Sequence, residues 1–293
     1  PHKRRHWPMA VEAGVNFQTA GSIVKLLLIS AALATLVGCN TSIPVQPKKV
    51  VVVPLSTLEN TDVMTVENAG RIMYEKDIRA ASATDLLLEK IDPTDYPGFV
   101  GWVTYPNDSD YTVTFYERES GSYSLIADVV FDGAANPQII ISPERSISKT
   151  ETSMISARIT AMQNGQNACA EKFNSVVLEG STPAEWDVYV LAATTDPAAV
   201  TVGGNTKVSI SKDTGEIIAI TPLSNTCITL NTQPDDMPEG ASLAMLTMTH
   251  IVSDYPVAIH PYLNLMHQIP FAVFTKRGMW IIEEGKISLE SGS

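Results

Sequence analysis

The sequence predicts an α+β protein in which antiparallel β-hairpin sheets are each preceded by an amphipathic helix, arranged as two modules. Three observations carry this expectation. Residues 67–91 and about 151–172 hold apolar side chains at three- and four-residue steps, the helical period. Each segment is followed by short runs of β-branched and aromatic residues separated by tight-turn signals. Strands do not alternate one by one with helices, as a doubly wound parallel sheet requires.

The elements follow in order. Residues 50–55 are a continuous apolar run suited to opening a sheet. In the first helix Ile72, Met73, Ile78, Leu86, Leu87 and Ile91 mark the apolar face, and Pro93 closes it. Residues 99–105 read as strand. Residues 111–116 alternate, with Thr112 and Thr114 opposite Tyr111, Val113 and Phe115. The turn Glu119-Ser120-Gly121-Ser122 returns the chain through 123–131, and Asp132-Gly133 turns it again before 138–141. Punctuation at 143–148 divides modules 50–146 and 147–293. Ile155, Ile159 and Met162 face inward from the second helix, which Asn164-Gly165 is placed to interrupt. Strands are expected at 175–178, 186–193, 206–210 and 217–220, the last two joined by Asp213-Thr214-Gly215. Residues 226–230 are extended, and 233–240 form a loop holding Asp235-Asp236. Runs at 246–252, 271–275 and 279–282 complete the strands, with Arg277-Gly278 turning between the last two. Trp102, Trp186 and Trp280 all fall in strands, where core packing is their expected role.

The stretch VKLLLISAALATLVGC, from Val24 to Cys39, has different chemistry. After Lys25 the run 26–37 is broken only by Ser30 and Thr35. A bilayer-spanning helix needs about 20 apolar residues; this run has the length of a secretory h-region. Leu36-Val37-Gly38-Cys39 resembles the lipobox of bacterial lipoproteins. Small residues admit the bond before Cys39 to a peptidase, and the thiol takes a diacylglycerol group. The resemblance implies a signal peptide over 1–38, Cys39 as the acylated first residue, palmitate-type chains, and a membrane partner reached through that lipid anchor. Residues 39–49, polar and proline-bearing, then form a tether. In Gram-negative lipoproteins an aspartate after the cysteine is associated with inner-membrane retention; Asn40 therefore points to the outer membrane, facing the periplasm. Residues 1–23 hold Glu12 and a polar segment and make a poor n-region. Initiation at Val24 through a GTG codon yields a compact signal and leaves 1–23 untranslated; Met9 is the other candidate start.

The chain is acidic, with 20 lysines and arginines against 32 acids. Removing Lys3, Arg4, Arg5, Lys25 and Glu12 with the signal takes the formal charge from −12 to −15. Such a body repels nucleic acid and anionic lipid surfaces. With Cys39 acylated, Cys169 and Cys227 remain, and an even pair in an exported chain predicts a disulfide. No C-x-x-C pair supports a thiol redox role.

Candidate chemistry is sparse. His250, His260 and His267, with Asp254 near in sequence, are the densest polar constellation. Two histidines and a carboxylate suit zinc or acid–base work, but the spacing matches no H-E-x-x-H pattern. Pro261 is compatible only with a helix's first turn, so a strand end or loop is the expected setting of structural histidines. There is no G-x-S-x-G, no G-x-G-x-x-G and no P-loop, and no cofactor is expected.

Residues 155–287 resemble a group of bacterial envelope proteins without an assigned activity. The resemblance rests on Cys169 before a short strand, the segment 186–193, the hairpin TKVSISKDTGEIIAITPLSNTC, and His250 to His260 before the closing FAVFTKRGMWIIEEGKI hairpin. It favours the Cys169–Cys227 bond and a two-part α+β body, and it adds a little weight to a specific role for His250 and His260 beside the structural one. The helix-then-hairpin order also looks like PepSY-type modules, associated with peptidase inhibition. The function expected is that of a membrane-anchored envelope lipoprotein with a binding or assembly role and an envelope protein as partner. The alternatives are a periplasmic hydrolase using the His250/His260/His267 segment, or a peptidase inhibitor.

Overall fold

The computed structural model describes residues 51–52, 62–133, 136–233 and 243–290. Cys39, the signal, the tether and the Asp235-Asp236 loop lie outside the described residues. Within them the protein is mixed α+β and mostly β, with three helices and fourteen strands in four sheets. Among the described residues no helix is long and apolar enough to cross a membrane.

Asp62 opens helix α1 (Val63–Leu88), its carboxylate accepting from the Met64 amide as an N-cap residue does. The helix buries Val66, Gly70, Met73, Asp77, Ala80 and Leu87 along one seam. Ile72, Ile78 and Leu86, expected on that face, are only partly buried. The buried stripe is instead rich in small residues, which let neighbours approach closely. A Cβ on Gly70 would stand 2.5 Å from Pro261 Cγ and 2.8 Å from the Ala258 carbonyl oxygen.

The first sheet is an antiparallel meander of β1 (Phe99–Pro106), β2 (Tyr111–Glu119), β3 (Ser122–Val130) and β4 (Gln138–Ile141). Strand alternation divides its side chains. Trp102, Val113 and Phe115 pack with Ala80, Ala83 and Leu87 of α1. Val103 and Tyr116 pack with Met154 and Ile155 of α2 (Lys149–Gly165). Helix α2 starts at a capping box between Ser148 and Glu151. It ends at Gly165, earlier than the expected 172, because Gln166 is extended. A side chain on Gly165 would press on Val190 and Val208.

The chain continues through β5 (Lys172–Glu179), β6 (Glu185–Ala193), the short β7 (Ala199–Thr201), β8 (Thr206–Ser211), β9 (Ile217–Pro222) and β10 (Thr229–Asn231). Strands β5-β6-β8-β9 form the second sheet, and β7 pairs with β10 alone. One face of the second sheet, through Val177, Trp186, Val188 and Val208, meets α2. The other, through Val176, Leu178, Tyr189 and Leu191, packs with α1 and the last part of the chain. Val52 adds a parallel bridge to Ile220 at the free edge of β9, with the Ile220 amide donating to the Val51 carbonyl at 3.1 Å.

The third four-stranded sheet joins β11 (Leu246–Thr249), β12 (Phe271–Thr275), β13 (Gly278–Glu283) and β14 (Lys286–Leu289). It departs from the hairpin-only expectation. Strands β11 and β12 run parallel, Leu246 opposite Phe271, and helix α3 (Ile259–His267) supplies the crossover such a pair needs.

Candidate functional site

Cys169 and Cys227 are bonded, with Cα atoms 5.1 Å apart. Asn167 holds the first of them, its Oδ1 accepting from the Cys169 amide at 2.9 Å. The bond ties the loop between α2 and β5 to the loop between β9 and β10.

Two of the three histidines come together. His250 follows β11, and His260 is the second residue of α3; both are buried. Their rings meet at right angles with centroids 4.8 Å apart. The helical setting of His260 corrects the expected loop, and it obeys the proline rule, since Pro261 lies in the first turn of α3. The Val257 amide donates to His260 Nδ1 at 3.0 Å, so the ring's proton sits on Nε2. Ser253 donates its hydroxyl to the Tyr255 carbonyl at 2.6 Å, and His250 Nε2 lies 2.8 Å from Ser253 Oγ. With the hydroxyl proton already committed, Nε2–H of His250 is the donor. Burial pushes His250 down to about 4. Burial, aided by His250, pushes His260 well below the ordinary histidine value. Both are therefore neutral near pH 7. His267 closes α3 seven residues on, about 10 Å further along the axis. Asp254 is exposed. Among the described residues no group of three or more His, Cys, Asp or Glu is placed to hold a metal ion.

Ser253 and Tyr255 open onto a cleft of about 230 Å³. Val66 of α1, Leu178 of β5 and Tyr189 of β6 give it apolar walls. Across it Lys207 pairs with Asp187 at 3.1 Å, and Asp187 also accepts from the Ser209 hydroxyl at 2.5 Å. Glu179, at the rim, pairs with Lys212, whose ammonium lies 3.9 Å from the Trp186 ring centroid. Burial raises the Tyr189 phenol far above neutrality, with Asp187 adding to it, so it stays protonated. The cleft combines apolar walls with the Asp187–Lys207 pair and a few hydroxyls, Ser253 among them, the composition of a recognition pocket. Sequence reading found His250 and His260 but missed Ser253, whose only signal was its position three residues after His250.

No family model, curated protein or solved structure matches the chain.

Proposed function

We propose that this protein is a bacterial envelope lipoprotein, acylated on Cys39 and tethered by residues 39–49 to the outer membrane, facing the periplasm. Its body binds an envelope protein partner, seating one of that partner's side-chain groups in the cleft between α1 and the second sheet. The observation that carries the binding role is the cleft itself, with apolar walls and the Asp187–Lys207 pair as an internal polar mark. The lipobox-like run ending at Cys39 supports the anchor.

Two measurements test this reading. A clickable fatty acid should label the native chain and not a Cys39→Ser variant; label retained on the variant removes the anchor. A photo-crosslinking residue at position 255 in intact envelopes should give an adduct of defined mass, and Ala69→Trp, which fills the cleft, should abolish it. An adduct unaffected by Ala69→Trp removes the cleft from the binding role.

A second reading rests on one observation, the 2.8 Å separation of His250 Nε2 from the Oγ of Ser253, which lines the cleft. In a hydrolase the serine proton would move from the Tyr255 carbonyl to His250, with the histidine's own proton held on Nδ1. A fluorophosphonate probe that fails to label Ser253 excludes it.

A further inference from the structure

Where α1, α2, β1 and β5 meet, side chains line a small, partly open cavity of about 10 Å³, room for one water-sized body. Lys76, Asp77, Trp102, Arg158 and Ser175 line it. Its donors outnumber its acceptors. Arg158 gives Nη1–H to the Val100 carbonyl at 3.0 Å and lies over the Trp102 ring, 4.8 Å from its centroid. Arg158 Nε and the Ser175 hydroxyl, both buried, have no hydrogen-bond partner among the described residues. Lys76 spends one of its three protons on the Val177 carbonyl at 2.7 Å. Asp77 is the only carboxylate among the described lining residues, and it is already engaged. It accepts from Asn174 at 2.6 Å and from Tyr262 at 2.7 Å.

The backbone is shaped around the guanidinium. Strand β1 is bulged between Phe99 and Gly101, and Val100, the extra residue, turns its carbonyl to Arg158. Gly101 has φ of 115°, and any side chain there would collide with the guanidinium.

We propose that this chamber binds one small monovalent anion of the halide class, held by Arg158 Nε–H, the Ser175 hydroxyl and the Lys76 ammonium. A guanidinium does not give up its proton at physiological pH, and buried charge requires a counter-charge. A halide accepts from all three donors and offers none, whereas water leaves the excess positive charge uncompensated. The burial that pushes Lys76 down to about 8, against the pull of Glu179, and Arg158 down to about 10 is the cost such an ion offsets.

The test is thermal melting of the purified full chain in sodium chloride and in sodium gluconate at matched ionic strength. Chloride should raise Tm saturably, to about 3 °C above gluconate, and bromide should substitute for it. Ser175→Ala and Lys76→Met should each lose at least half of that halide-specific difference, whatever their own Tm. Equal melting in the two salts means that the chamber takes water only and overturns the proposal. A halide effect that both variants keep in full places the anion elsewhere and overturns it equally.

Discussion

His250 and His260 meet ring edge to ring face with centroids 4.8 Å apart, a contact that two imidazolium ions would not tolerate in a buried site. Both rings have folded-state pKa values below the ordinary 6.5, His250 at about 4. As pH falls below 6.5 the unfolded chain takes up protons that the folded chain refuses. Stability present above 6.5 is therefore lost progressively towards pH 4, on the order of 3 kcal/mol from His250 alone. Asp77 acts in the opposite sense. Burial, opposed by hydrogen bonds from Tyr262 and Asn174, raises it from 3.8 to about 6, so it adds stability as pH falls through that window. Urea unfolding between pH 7 and 4 should show a net loss that His250→Gln shallows and Asp77→Asn steepens. Identical slopes in all three proteins would contradict the assignment.

Arg145 ties the first sheet to α2. Its Nε and Nη2 donate to Asp128 at 2.6 and 2.7 Å, and its Nη1 and Nη2 donate to Glu151 at 3.0 and 2.8 Å. Burial favours a neutral Glu151, yet Arg145, Ser148 and Tyr116 outweigh it and hold the carboxyl at about 2. This contribution is complete above pH 4.5 and disappears as pH falls towards 2. Arg145→Met leaves two buried carboxylates unpaired and should cost about 3–5 kcal/mol, measured by denaturant unfolding at pH 7. At pH 2 the deficit should shrink to a small fraction.

Gly70 of α1 packs directly against the start of α3. Gly70→Ala is favourable for an isolated helix by about 1 kcal/mol. Here the new methyl meets Pro261 and a backbone carbonyl, so the protein should lose about 1–3 kcal/mol instead. An unfolding midpoint at or above that of the parent would show that the two helices have room to separate.

The Cys169–Cys227 bond spans 58 residues of sequence. Chain-entropy reasoning assigns such a loop about 4 kcal/mol. Cys227→Ser should lower stability by that order, and the native chain should lose the same amount in dithiothreitol. A variant unaffected by reductant but as stable as the oxidised parent would refute it.

Much of the fold was legible because hairpins are local. Residues 138–141 and 271–275 were read with the bounds that β4 and β12 adopt, since β-branched and aromatic runs beside turn residues mark them. Helix α3 was missed because it has only nine residues, and a proline near its start argued against it. The inward face of α1 was legible at Met73 and Leu87 but not elsewhere, because hydropathy favours Ile72 and Ile78 over Gly70, Ala80 and a hydrogen-bonded Asp77. The parallel β11–β12 pair depends on a crossover rather than a turn and leaves no short-range signal. His250 and His260 stood out by residue type. The cleft did not, because α1, β5, β6, β8 and the loop after β11 build it from residues far apart in sequence.

The long reach of α1 also bears on the order of events during synthesis. Glu67, near its start, accepts from the Ile287 amide at 2.7 Å and from Lys286 Nζ at 2.9 Å, across sequence separations of 220 and 219 residues. Its Gly70 seats the helix that precedes β12. The C-terminal half of α1 is covered by the first sheet that follows it, whereas its N-terminal half waits for the last described strand before its cover is complete. Loop closure over such distances is slow, so this half of α1 is completed late, after the local hairpins have had time to form. The seam between α1 and β14 therefore closes only after synthesis has passed residue 287.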